Sequence, residues 1–435
     1  MYKGKMKRLV SIGVTVVVGA TIVINPLAYC SAAPDTKSTD AAPCAAVASS
    51  PKQVKDASRN TAIVVNVQTT LPTDYDLWGS GFREGFAAVY SYSEDSNNYF
   101  GTITYIDKNG HEIMSVEQAD EPGCIECGGE GLPEFSEGLV RASKDDKWGY
   151  YDTSGNLVIP HKFGYAGNFK DGLAPVYDGD WFSETGKWCY IDKTGKIVIT
   201  TDYDWVGEFS EGLAVISVRN ADSEKYGYID VNGNVVISPK YTYAESFSEG
   251  LAAVLNGDWC TASWGFIDKT DKVVVPFRYG AVNAFSDGLA AVTLGVDWDD
   301  WDFGYVDNKG NVAIPLTLDY APNSFSDNLF EAPRFSEGLV ALVEGEWGNR
   351  SVRYVDKTGR TVLAFNSYDD AREFSDGLSA VRNSATGKWG YIDKAGNTIV
   401  SFRYLCAGEF SDGLAIVASG DWDSLSWSVL AISAD

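Results

Sequence analysis

After residue 60 the apolar positions of this chain fall in short runs, β-branched or aromatic, each closed by Gly, Asp or Asn. Such runs read as strands, because branched and aromatic side chains fit a pleated surface and the closing residues fit tight turns. No window sustains a 3.6-residue apolar period, so almost no helix is expected beyond the N-terminal segment.

The runs repeat. A phrase of Phe, any residue, an acid, Gly and then an apolar run begins at Phe82, Phe135, Phe169, Phe209, Phe247, Phe285, Phe335, Phe374 and Phe410. The steps between these Phe residues are 53, 34, 40, 38, 38, 50, 39 and 36. The two long steps hold insertions, Glu117 to Gly131 and roughly Thr317 to Asn328, the second with a degenerate copy at Phe325-Ser-Asp-Asn-Leu. A second phrase, Lys-Trp-Gly-Tyr-Ile-Asp-Lys-x-Gly, is clearest at Lys388 to Gly396, with copies from Lys147, Lys187, Tyr226 and Trp264. A third is β-branched, as in Lys196-Ile-Val-Ile, Asn234-Val-Val-Ile and Lys272-Val-Val-Val. Asp-Lys-Thr-Gly between two runs predicts a hairpin turn: the Asp side chain accepts backbone N–H groups and Gly supplies positive φ. The acid-Gly pair before each Leu-Ala run predicts similar work.

Phe-Ser-Glu-Gly-Leu-Ala followed by Lys-Trp-Gly-Tyr-Ile-Asp resembles the WG-repeat family, also called KWG repeats, over about residues 62–435. The resemblance implies a bacterial all-β array, usually without assigned enzymatic activity and often described as an interaction module. Several units depart from it. Cys189 and the Arg353-Tyr354 pair stand where Gly-Tyr is expected, and Asp271 stands at a turn Gly. These departures put local turn geometry in question.

The fold class expected is all-β, about nine tandem antiparallel units of roughly 38 residues. Three or four strands per unit is the stoichiometry of a propeller blade. Thr61 to Trp78 reads as the second half of a unit, and the chain ends after Trp427-Ser-Val-Leu, a first half. The two halves can complete one sheet, close a ring and remove exposed edges. A propeller-like ring is therefore favoured over an open β-solenoid.

The N-terminus reads differently. Lys3, Lys5, Lys7 and Arg8 precede an apolar run from Leu9 to Ile24, then Asn25-Pro26 and the small residues Ser31-Ala32-Ala33. This is the order of a secretory signal peptide, residues 1–33, rather than of a membrane anchor. Leu27-Ala28-Tyr29-Cys30 resembles a bacterial lipobox that would lipidate Cys30, although Tyr29 is large for it. Residues 34–60, rich in Ala, Ser, Pro, Lys and Asp, form a linker expected to be disordered. The β array is residues 61–435. A secreted or cell-surface location follows from this reading.

Composition changes the picture in two ways. At 45% hydrophobic and 13% aromatic residues the chain can bury a large core. Its formal charge is −25, and removing the four cations of residues 1–33, which contain no acid, leaves −29. That excludes nucleic acid and anionic membrane as partners, since both need a basic footprint.

Candidate chemistry is sparse. The repeated Trp-Gly pairs (Trp148-Gly149, Trp264-Gly265, Trp389-Gly390) and the repeated acids recur in unit after unit, as structural residues do. Aromatic residues of the variable loops are better ligand candidates: Trp181, Trp259 and Trp422 in Gly-Asp-Trp, and Trp298 and Trp347 in related phrases. Exposed loop aromatics stack on sugars or peptides, and the alternative is a turn whose Trp folds back on a neighbour. Asp297-Trp-Asp-Asp-Trp-Asp302 offers oxygens for Ca²⁺ but lacks the order of a known Ca²⁺ loop, so no cofactor or metal is assigned. Cys124 and Cys127 suit a local disulfide better than zinc, which needs four ligands. Cys189, Cys260 and Cys406 are expected to be single and buried. With two histidines and no nucleophile, phosphate-loop or zinc-protease motif, no catalytic residue is assigned.

The expectation is a non-catalytic extracytoplasmic module that binds a cell-envelope or secreted protein or polysaccharide. The alternatives are a secreted glycoside hydrolase using paired carboxylates and a structural surface spacer without a ligand.

Overall fold

The structure is a computed structural model that describes residues 54–55, 62–71, 81–92, 101–118, 132–183, 185–220, 223–257, 262–294, 302–318, 332–345, 348–421 and 424–434. These residues form a nine-bladed β-propeller of small antiparallel sheets, and no helix occurs among them. Blade 1 is Phe86–Tyr92, Gly101–Asp107 and Glu112–Gln118, and blade 2 is Leu139–Lys144, Lys147–Asp152 and Leu157–Phe163. Blades 3 to 8 follow in sequence order, the first of their two central strands starting at Leu173, Leu213, Leu251, Leu289, Leu339 and Leu378. A complete blade has a short inner strand, two central strands and an outer strand, each hydrogen-bonded to its sequence neighbour, as in Tyr243–Ala244, Leu251–Asn256, Ser263–Asp268 and Val273–Tyr279 of blade 5.

Blade 9 closes the ring. Its Cys406–Ala407, Leu414–Asp421 and Ser424–Ala434 come from the C-terminus, and its next strand outward is Ala62–Thr70 from the N-terminus. The register runs from Ile63 opposite Ala434 to Thr70 opposite Ser428, and Val54–Lys55 adds an edge to it. The two half-units do complete one sheet, so the ring is the architecture and the solenoid is not. The nine hydrophobic clusters lie between successive blades; the last joins Cys406, Leu414 and Trp427 of blade 9 to Leu71, Phe82 and Val89.

The repeated phrases each have a structural task. All nine phrase acids have left-handed backbones, from φ 52° at Asp171 to φ 57° at Asp412, and each following Gly does too. Two such residues in succession make the two-residue hairpin turn that matches strand twist. The Asp of Tyr-Ile-Asp accepts turn N–H groups as expected: Asp152 Oδ1 takes those of Ser154 and Asn156, both at 2.9 Å. Asp271 keeps its turn by adopting φ 69°, with its carboxylate accepting the Tyr241 hydroxyl at 2.6 Å.

The Gly of Trp-Gly is explained by the outer strand, which crosses directly over it. A Cβ at Gly149 would lie 2.5 Å from the Ile159 carbonyl oxygen, and one at Gly390 would lie 2.6 Å from that of Val400. There the pairing jumps from Trp148–Phe163 to Tyr150–Ile159, a bulge in the outer strand. Where the Gly is missing the bulge is missing: Cys189 pairs directly with Thr200, and Arg353 with Ala364. These departures therefore alter strand register, not turn geometry.

Candidate functional site

Antiparallel order puts two kinds of connection on opposite faces of the ring. The acid-Gly and Asp-x-x-Gly turns share one face. The hairpins between the two central strands share the other with the crossings from blade to blade.

On the turn face the phrase acids are consumed in assembly. Each carboxylate accepts the backbone N–H of the next blade's turn Gly: Glu84 to Gly138, Glu137 to Gly172, Asp171 to Gly212, Glu211 to Gly250, Glu249 to Gly288, Asp287 to Gly338, Glu337 to Gly377, Asp376 to Gly413 and Asp412 to Gly85. Lys193, Lys269, Lys357 and Lys394, from the Asp-Lys turns, pair with the preceding blade's acid. Burial pushes the Glu137 carboxyl up, but Lys193 and the Gly172 N–H more than offset it and hold it below its ordinary value. The tyrosine of the second phrase adds another bond between blades, its hydroxyl donating to the next inner segment: Tyr150 to Gly167, Tyr190 to Gly207 and Tyr391 to Gly408, at 2.7–2.8 Å.

On the opposite face the central hairpin of blade 3 carries Trp181. It is 45% exposed, and its neighbour Phe182 is 77% exposed. Trp181 also folds back, its ring centroid 5.5 Å from Tyr165, 5.3 Å from Tyr177 and 5.8 Å from Trp188. The two readings of this residue thus meet: neighbours hold one part of the indole and the rest faces solvent. The loop under it is fixed. Asp180 Oδ1 accepts the Ser183 N–H at 2.8 Å, a bond that lowers the Asp180 pKa, and the Gly186 N–H donates to the Tyr177 hydroxyl at 2.9 Å. Gly164, at the crossing from blade 2, makes room for it: a Cβ there would sit 2.9 Å from the Trp181 nitrogen.

Of the other expected site residues, Trp259, Trp298, Trp347, Trp422, Cys124 and Cys127 lie outside the described residues, as does Cys260. Trp389 is buried at 6% exposure, whereas Trp148 and Trp264 are half-buried, Trp148 packing on Tyr165 of the next blade and Trp264 on Tyr243 of its own. Cys189 is free and buried. Cys406 is buried too, but it is disulfide-bonded rather than single. Among the described residues no group of three or more His, Cys, Asp or Glu could hold a metal ion. Both histidines are occupied: His111 faces Asp107, and His161 bonds Tyr151 and the Lys147 carbonyl.

Sequence reasoning missed the axis of the ring. The residues just before the repeated Phe lie on or beside the inner strands and touch their counterparts in adjacent blades: Glu208 Oε1 accepts the Asn168 N–H at 2.6 Å, and Glu373 Oε1 that of Arg334 at 3.3 Å. Glu409 stands beside Glu373. Burial first, and the Glu373 charge second, push its carboxyl up to about 8 against the lowering effect of Arg372. The signal was available: this position reads Gly81, Glu134, Asn168, Glu208, Ser246, Ala284, Arg334, Glu373 and Glu409, so it varies where its neighbours repeat.

Seven segments, residues 148–180, 185–220, 226–258, 264–295, 303–332, 353–385 and 389–421, match the family described as WG containing repeat. No curated protein matches the chain. Solved structures similar to it include a eukaryotic initiation factor (TM-score 0.37, 10% identity, 78% of this chain and 84% of that one). Sqt1 from Chaetomium thermophilum gives TM-score 0.35 and 11% identity over 86% of this chain and 100% of that one. The β-propeller domain of the Trilobed protease from Pyrococcus furiosus gives 0.38 and 10% over 75% and 98%. Likeness of this extent says nothing of what the chain does.

Proposed function

This chain belongs to the WG containing repeat family, and from that premise we propose that it is a non-catalytic, extracytoplasmic interaction module. The ring is the rigid part, and the face of hairpins and blade crossings is the part that binds. The observation that carries this reading is the pair Trp181 and Phe182, large apolar side chains held out to solvent on a loop whose backbone is already fixed. Exposed aromatics on a preorganised loop lose little entropy on binding and offer flat area to a sugar ring or a peptide. The partner is accordingly a protein or polysaccharide of the cell envelope or the secreted medium. Export rests on the basic, apolar and small-residue order of residues 1–33. A non-catalytic role is supported by the phrase acids, all engaged between blades, and by the occupied histidines.

The test is retention of envelope proteins and, separately, of secreted polysaccharides on the immobilised protein. A partner retained by the native chain and lost with Trp181→Ala plus Phe182→Ala, at unchanged thermal stability, supports the reading. Equal retention by native and variant protein defeats it.

A further inference from the structure

Trp181 and Phe182 stand on a loop that also carries two exposed carboxylates, Asp178 and Asp180. We propose that this platform takes a basic polypeptide segment, an arginine side chain of which stacks on the exposed rings while its guanidinium pairs with Asp178 and Asp180. The proposal rests on the interaction-module reading and names the chemistry of the partner.

Three observations carry it. First, the rings are open but form no pocket. Trp181 is 45% exposed and Phe182 77%. Tyr165, Tyr177 and Trp188 pack against Trp181 at centroid separations of 5.3–5.8 Å, and Trp188 lies equally close to both tyrosines. Four rings so packed leave no gap between them, so a ligand lies on the outside of the cluster. A free small molecule would bury too little of itself there, because small-molecule sites enclose most of their ligand. A polypeptide lying across the hairpin face needs no such enclosure.

Second, the surroundings of the rings offer acceptors, while nearby donors are already engaged. Lys147 Nζ, at the blade 2 hairpin, donates to the Gly179 carbonyl at 3.2 Å, and Lys187 Nζ donates to Asp202 at 2.5 Å. The Ser183 and Gly186 N–H groups donate within the loop. The Asp178 side chain, by contrast, makes no hydrogen bond or ion pair among the described residues. Asp180 is kept ionised by the Ser183 N–H that it accepts. A guanidinium is the complement of such a site, with five N–H donors and no acceptor. A sugar hydroxyl both donates and accepts. For its accepting half, a sugar would have to compete with the bonds that these lysines and N–H groups already make.

Third, ring and charge act together. Indole is the best aromatic face for a cation. Trp181 is one residue from Asp180 and three from Asp178, on a loop whose backbone is fixed, so both attractions are in place before the partner arrives. The formal charge of −25 draws a basic partner and repels an acidic one, which disfavours acidic polysaccharides.

Calorimetric titration of the full chain at low salt with end-blocked tetra-arginine tests the proposal, with chitotetraose as a neutral sugar probe. Saturable binding of tetra-arginine is expected. Trp181→Ala with Phe182→Ala should weaken it at least about fivefold, and so should Asp178→Asn with Asp180→Asn. Asn in place of Asp180 still accepts the Ser183 N–H, so the second pair removes charge and keeps the loop. Glu112→Gln with Asp302→Asn removes two exposed charges from blades 1 and 6 and should leave binding unchanged. Where Trp181→Ala lowers thermal stability, Phe182→Ala alone takes the place of the aromatic pair. Binding weakened by the aromatic pair but not by the Asp178 and Asp180 pair overturns the basic partner and leaves the interaction-module reading standing. Binding of chitotetraose without tetra-arginine does the same. Tetra-arginine bound equally by the native chain and the aromatic pair overturns the proposal and counts against the platform itself. Equal weakening by the Glu112 and Asp302 pair assigns binding to net charge, and that result, or no saturable binding of tetra-arginine, also overturns it.

Discussion

The carboxylate of Asp412 accepts the backbone N–H of Gly85 at 3.0 Å, joining residues 327 apart in the chain. It is the same bond that links every other pair of adjacent turns, from Glu84–Gly138 to Asp376–Gly413. The N- and C-terminal blades thus meet as any two neighbours do, and the circle of carboxylates has no seam.

Asp412→Asn isolates the charge in that bond, because Asn tolerates the left-handed backbone that Asp412 adopts. A loss of about 1 kcal/mol is expected in denaturant unfolding. Asp376→Asn should cost a similar amount, since its bond to Gly413 is 2.8 Å long. If Asp412→Asn were silent while Asp376→Asn was costly, the ring would not be closed in solution.

Closure also has a hydrophobic part. Leu71, at 2% exposure, follows directly on the N-terminal strand of blade 9; its N–H donates to the Trp427 carbonyl at 2.9 Å and its side chain packs with Phe82 and Cys406. Leu71→Ala should cost about 3 kcal/mol. Val67, on the same strand but 50% exposed, should lose no more than about 0.5 kcal/mol on the same change. Equal effects in an unfolding titration would mean that the strand does not pack there.

The Trp-Gly phrase makes a sharper distinction. Gly390→Ala would drive a Cβ to 2.6 Å from the Val400 carbonyl oxygen, and the outer strand must shift. A loss of about 3 kcal/mol is expected. Cys189, at the equivalent place in blade 3, faces a strand without the bulge and already carries a Cβ. Cys189→Ala should cost only about 1 kcal/mol, for lost sulfur packing. Thermal unfolding of the two variants reads the difference.

These contrasts show what was legible in the sequence. The turns could be read because Asp-Lys-Thr-Gly and acid-Gly are local devices whose chemistry lies within four residues. The nine units could be read because Phe, Gly and Tyr recur. The partner of each acid could not, since Glu137 and Gly172 are brought together only by packing one blade on the next. The loss of the bulge at Cys189 and Arg353 was visible as a departure, but its meaning required the outer strand. The axial acids escaped notice because their neighbours, such as Asn168 beside Glu208, come from adjacent blades and meet only after the blades pack.

The pH dependence of stability separates the two sets of acids. Glu137, depressed in the folded state, contributes stability above the ordinary glutamate pKa; that contribution fades as pH falls through the lower folded value. Asp356, held at about 2 by Thr358 and by the turn N–H groups, behaves the same way toward lower pH. Glu409 has the opposite sign. Its folded pKa of about 8 exceeds its ordinary value of 4.5, so its contribution is fully present below about 4.5 and fades as pH rises through about 8. Stability should therefore fall on both the acid and the alkaline side. Glu409→Gln keeps the protonated shape without the charge, so it should remove the alkaline fall and leave the acid one. Denaturant midpoints from about pH 2 to about pH 9 read this directly. An alkaline fall that persists in Glu409→Gln would assign it to another group. Its disappearance would place the buried proton on the carboxyl that faces Glu373.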